Sequence, residues 1–86
     1  MQQKILNYNL LFKKEPEGGY TVTVPALQGC VTYGKTLEEA KKMAAGAIQA
    51  YIGSLQKHGE TVPSDETVFI TTVTLPLRNS GKKMYV

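Results

Sequence analysis

The sequence predicts an α+β domain of order βββαβ, a four-stranded sheet with one helix on one face. Three observations carry this. Residues 4–13 and 20–24 alternate apolar and polar side chains with the period of a strand. A threonine-capped stretch from Thr36 to about His58 repeats apolar residues at helical spacing. A threonine- and valine-rich run at 67–75 follows it and reads as a further strand.

In the first strand, residues 4–13, Leu6, Tyr8, Leu10 and Phe12 point one way, and Ile5, Asn7, Asn9 and Leu11 the other. The first set is the more apolar and belongs on the core face. Glu15-Pro16-Glu17-Gly18-Gly19 breaks the alternation. Proline presets φ and paired glycines reach positive φ cheaply, so the chain turns back as a hairpin. Tyr20, Val22 and Val24 then alternate with Thr21 and Thr23. Pro25 ends this second strand because it has no N–H to donate, and Ala26 to Gly29 makes a corner. Cys30 to Tyr33 is a short third strand, closed by Gly34.

Thr36 and Glu39 have capping-box spacing. The threonine oxygen accepts from the third helical N–H, and the glutamate reaches back to the cap's own N–H. Glu38 and Glu39 also suit the positive end of the helix dipole. Leu37, Ala40, Ala44, Ala47, Ile48, Tyr51 and Leu55 form one apolar stripe. Gly59 stands where a left-handed C-terminal cap belongs, and Pro63 follows as a stop. A right-handed crossover through the helix brings the fourth strand, residues 67–75, parallel to and beside the first, for a sheet order 3-2-1-4. Pro76 ends that strand. The domain is expected to span 1–75, with 76–86 as a short basic tail containing Arg78, Lys82 and Lys83. The sheet face away from the helix would present Asn7, Asn9, Thr21 and Thr23, polar enough to stay wet or to meet a partner.

At 86 residues the expectation is one domain. Folding at this size buries roughly 60–65% of the extended chain's surface, so the core is modest. A hydrophobic content of 42% is ordinary for a globular chain and argues against disorder. The net charge of +3 is partly local to the tail. It suits nucleic acid or an acidic partner, and equally a solubilising surface. A single cysteine excludes an intramolecular disulfide. No signal-peptide pattern is visible, and no apolar run approaches the ~18 residues of a membrane span. A cytoplasmic protein is therefore expected.

Candidate catalytic groups are few. His58 is the only histidine, and it falls in the last helical turn, where a cation complements the dipole. Cys30 has no CxxC companion and no histidine nearby in sequence, which favours a small buried residue over a nucleophile or metal ligand. Glu15, Glu17, Glu38, Glu39, Glu60, Asp65 and Glu66 all fall in turns, at the start of the helix or past its end. Two-metal hydrolysis on an RNase H-like sheet needs acids on the strands, and the first strand offers the neutral Asn7 and Asn9. No catalytic residue, metal or cofactor is expected. Gly18-Gly19 lacks the lysine and helix of a phosphate loop.

Gly46 and Gly53 fall opposite the apolar stripe, alongside Glu39, Lys42, Gln49 and Lys57. Each glycine costs a helix interior roughly 0.5–1 kcal/mol relative to alanine. Either they are neutral drift on a solvated face, or they flatten a groove where a partner's backbone comes close. Tyr33, on a short strand next to Gly34, and Tyr85, in the tail, are aromatics of the kind that anchor interfaces or complete a core. Candidate partner-binding residues are thus Tyr33, Lys42, Gly46, Gln49, Gly53 and Lys57.

The run Gly19-Tyr20-x-Val22-x-Val24-Pro25-x-Leu27-x-Gly29-Cys30-x-Thr32-x-Gly34-x-Thr36-x-Glu38-Glu39-Ala40 resembles the N-terminal domain of HicB antitoxins. Ala47-Ile48-x-x-Tyr51-Ile52 and Gly59-Glu60-x-x-Pro63 continue the likeness over about residues 4–75. The resemblance implies a partly degenerate RNase H-like βββαβ fold. It implies a HicA-like toxin as partner, an mRNA-cleaving protein inhibited by occlusion of its active site. Its structural residues carry over onto Pro25, Gly29, Cys30, Gly34, Thr36 and Glu39. Many members carry a C-terminal DNA-binding domain. This chain ends shortly after the fourth strand, which puts direct operator binding in doubt. Uncovered sheet edges favour a homodimer or higher homo-oligomer. Two other functions compete with the antitoxin: an orphan homo-oligomeric scaffold without a toxin, and a surviving RNase H-like nuclease, against which the lack of strand-borne carboxylates weighs.

Overall fold

The computed structural model describes residues 5–78. Lys4 of the expected first strand, and Lys82, Lys83 and Tyr85 of the tail, lie outside the described residues. The order is β1 (Leu11–Lys14), β2 (Tyr20–Thr23), β3 (Val31–Gly34), α1 (Leu37–Lys57) and a one-turn 3-10 helix, Asp65–Thr67. The strands form one antiparallel sheet in the order β1-β2-β3. In the first hairpin the Gly18 N–H donates to the Glu15 carbonyl and the Glu15 N–H to the Gly19 carbonyl, both at 3.0 Å. The second connection is two turns in succession. Leu27 N–H donates to the Val24 carbonyl and Cys30 N–H to the Leu27 carbonyl, each at 3.0 Å. Pro25 is second in the first of these turns, where a fixed φ helps. Gly29 is third in the next at φ +78°, a value that a Cβ resists.

Helix α1 starts as its local residues dictate. Thr36 is extended, and its hydroxyl accepts from Glu39 N–H at 3.0 Å. The Glu39 carboxylate accepts from Lys35 N–H at 2.8 Å. This is one residue earlier than the expected capping box, so the glutamate ties down the approach to the cap and not the cap itself. At the other end Glu60 N–H donates to the Leu55 carbonyl and Gly59 N–H to the Gln56 carbonyl, with Gly59 at φ +68°. This paired arrangement satisfies carbonyls that the helix leaves open.

Register decides what each sheet face carries. Phe12, Val22 and Thr32 form one cross-strand row, and Lys14, Tyr20 and Gly34 the next. Both rows face α1, because Val22 is fully buried against Ala40 and Ala44. A second cluster, Val24, Leu27 and Cys30, packs with Tyr8, Leu10, Ala47, Ile48 and Tyr51. The Tyr51 hydroxyl donates to the Gln28 carbonyl at 2.8 Å and ties the helix to the corner. Burying a side chain such as Leu27 stabilises by roughly 1.5–3 kcal/mol. The helix packs over β3 and β2, leaving β1 to one side. Gly34 lies directly beneath it: a Cβ there would overlap the backbone N and Cα of Ala40.

Three further expectations need correction, and the fourth strand is not confirmed. The first strand joins the ladder only from Leu11. Asn9 N–H donates instead to the Asp65 carboxylate at 2.8 Å, because the opposite chain has already turned off at Pro25. The fourth strand expected at 67–75, and with it the order 3-2-1-4, is not part of this sheet. Residues 65–67 form the 3-10 turn, and 68–78 run on without a ladder partner among the described residues. Leu37, expected in the apolar stripe, is half exposed at the start of the helix, beyond the sheet it would pack on. The sheet face away from the helix is less polar than expected: Leu11, Val31 and Tyr33 share it with Lys13, Thr21 and Thr23.

Candidate functional site

Lys42, Gly46, Gln49, Gly53 and Lys57 fall on α1 at spacings of four, three, four and four. At 100° per residue this is one strip along the outer face, roughly 22 Å long at 1.5 Å per residue. All five are exposed. A Cβ at Gly46 or Gly53 would meet nothing within 4 Å, so neither glycine is required by the protein's own packing. The strip is flat at these two points, with lysines at both ends. A shallow depression beside its first turn is lined by Glu38, Glu39, Lys41, Lys42 and Ala45.

Tyr33 does not join that strip. It faces Thr21 on the open side of the sheet, so the sheet separates it from the helix. Its ring lies over Gly19, where a Cβ would collide with it, and its hydroxyl donates to the Gly18 carbonyl at 3.0 Å. Half of Tyr33 remains exposed beside Thr21, whose hydroxyl donates to the Glu15 carboxylate at 2.6 Å.

A cluster joining the approach to β1 with the residues just past the helix was not legible in the sequence. The Tyr8 hydroxyl donates to the Pro63 carbonyl at 2.5 Å. The backbone N–H and side-chain amide of Asn9 both donate to Asp65 Oδ2. Asp65 Oδ1 is buried without a partner. Burial, and secondly the charge of Asp65, push the Tyr8 phenol above its ordinary value. The only available signal was a tyrosine and an asparagine near the start with an acid after Pro63. Their separation of more than fifty residues hides the pairing from any local pattern.

The groups with chemical potential are engaged in structure. Cys30 is buried in the second core cluster, and burial pushes its thiol up, away from the nucleophilic thiolate. His58 Nδ1 lies 2.8 Å from the Ser54 carbonyl, which can only accept, so that nitrogen carries the proton. Among the described residues no three His, Cys, Asp or Glu gather where a metal ion would be held. No described helix is long and apolar enough to cross a membrane.

Residues 8–76 match the family model described as HicB-like antitoxin of bacterial toxin–antitoxin systems. A UPF0150 protein of Thermoplasma acidophilum is 47% identical over 66 residues, covering 77% of this chain and 96% of that one. A Synechocystis UPF0150 protein is 39% identical over 66 residues, 77% of this chain and 84% of its own. A Helicobacter pylori UPF0150 protein is 38% identical over 63 residues, 73% and 76% of the two chains. The chain belongs to the HicB-like antitoxin family.

Proposed function

We propose that this protein is the antitoxin of a type II toxin–antitoxin pair. It binds a HicA-like mRNA-cleaving toxin in the cytoplasm and neutralises it by covering the toxin's active site, with no chemistry of its own. The family match over residues 8–76 carries this function. The exposed outer strip of α1 supports it as the contact: Lys42, Gln49 and Lys57 offer polar anchors, and Gly46 and Gly53 let a partner's backbone approach. Tyr33, across the sheet, is a second and separate contact. Residues 1–75 are the binding domain and 76–86 its tail. Copies associate as a homodimer or larger assembly, and within that assembly residues 67–75 supply the fourth strand of an RNase H-like sheet.

Co-expression with the product of the adjacent gene tests the function. The expected result is restored growth and co-purification of the two proteins. A neighbour whose toxicity is untouched, and which does not co-purify, overturns it in favour of an orphan homo-oligomeric scaffold. Combining Gly46→Ala with Gly53→Ala tests the strip. A more stable antitoxin that binds the toxin less tightly is expected, whereas unchanged affinity would make the glycines drift on a solvated face.

A further inference from the structure

We propose that residues 68–75 are an exchanged strand: two copies associate by each laying this segment parallel to the free edge of β1 in the other. The proposal rests on the self-association proposed above and not on the toxin.

The segment has the makings of a strand and no ladder partner among the described residues. Phe69, Thr71, Val73 and Leu75 lie on one side of its two-residue repeat, and Val68, Ile70, Thr72 and Thr74 on the other. Its first residue, Val68, has extended angles, φ −102° and ψ 122°. Yet Phe69 is 87% exposed, Val73 75% and Leu75 78%. A row of large apolar side chains this exposed is uncommon on a monomer and marks an unfilled contact. The radius of gyration is 17.2 Å, against about 12 Å for a compact chain of this length.

The same chain carries the matching deficit. Glu15 N–H pairs with the Gly19 carbonyl, so ladder bonds to β2 fall on the odd residues of β1. The N–H and C=O groups of Phe12 and Lys14 therefore point away from β2, to a side where no described residue forms a strand. The helix sits over β2 and β3, so the helix-side face of this edge is thinly covered. Phe12 is 39% exposed there. The apolar row of the segment fits this bed.

Charge selects the occupant. Two β1 edges meeting directly would bring Lys13 and Lys14 of both copies together, a repulsion of the kind that protects edges from self-pairing. Residues 67–77 carry no charge at all and meet those lysines without penalty. Each copy thus has one donor and one acceptor, and a two-fold axis satisfies both at once. Asn9 and Asp65 hold the departure point of the segment at the start of β1, so a strand laid from it along its own β1 would run parallel, and the exchange keeps that pairing between copies.

The full chain would be measured by light scattering coupled to size exclusion, over roughly a hundredfold range of concentration. Mixed samples of isotope-labelled and unlabelled copies would be examined by filtered NMR. The expected results are twice the monomer mass and contacts between copies from the Phe12 or Lys14 amide to residues 68–75. Val73→Lys with Leu75→Lys should halve the mass while leaving the helical circular dichroism intact. A protein monomeric throughout, contacts confined within one copy, or a dimer indifferent to the two lysines would each overturn the exchange. A monomer that still restores growth would sink the exchange alone and leave the antitoxin function standing.

Discussion

Gly34→Ala is the most demanding test of how helix and sheet meet. The added methyl would overlap the backbone N and Cα of Ala40 and lie 2.8 Å from the Glu39 carbonyl carbon. All three are main-chain atoms, so no rotamer change makes room, and the first turn of α1 must lift off β3. Overpacking of this kind costs about 1–3 kcal/mol, and the backbone obstacle places the cost at the upper end. Alanine also restricts the unfolded chain, which returns up to about 1 kcal/mol. The net expectation is a loss of about 2 kcal/mol. With a urea dependence of about 1–2 kcal/mol per molar for a small domain, the midpoint falls by roughly 1–2 M. Circular dichroism in urea at fixed protein concentration reads it. Gly46→Ala is the internal control. It has open space around it and lies within the helix, so it should gain roughly 0.5–1 kcal/mol. A Gly34→Ala protein as stable as its parent would refute the close approach of Ala40 to β3.

Three further outcomes follow from the same contacts. Thr36→Ala removes the acceptor of Glu39 N–H and should cost about 1 kcal/mol in urea unfolding, with Thr36→Ser close to neutral. Burial, then the Asp65 charge, raise the Tyr8 phenol above its ordinary 10.0, so its neutral form is favoured in the fold. That contribution is fully present below about pH 10 and is lost as pH rises through the folded value. Unfolding followed against pH should show an alkaline decline that Tyr8→Phe flattens, and an identical decline in the variant would contradict it. Cys30, buried and with its thiol pushed up, should react with a thiol reagent many times more slowly in the native protein than in urea. Equal rates would place the thiol at the surface.

What could be read from the sequence divides along the distance between interacting residues. Thr36 and Glu39, or Gly59 and Gln56, stand within one or two turns, and their types announce the helix ends. Pro25 and Gly29 announce the corner for the same reason. Gly34 looked like a strand terminator, but its requirement comes from Ala40 passing overhead, which only the packed helix reveals. The alternation of residues 67–75 is visible, whereas pairing depends on where a partner strand lies, and no described residue pairs with this segment. In the candidate site, the strip from Lys42 to Lys57 was predictable because helical geometry is periodic. The separation of Tyr33 from that strip needed the register of β3. The bonds from Tyr8 and Asn9 to residues beyond Pro63 carry no local signature.

Those last bonds also bear on the order in which the molecule assembles. The pairings of β1 with β2, β2 with β3 and β3 with α1 join neighbours along the chain, so closing them costs little loop entropy. Tyr8 to Pro63 and Asn9 to Asp65 instead close loops of 55 and 56 residues. During synthesis the hairpins and helix can form before Pro63 and Asp65 exist. The clasp then snaps shut behind a body already built, making it the late step of folding and the first to open under strain.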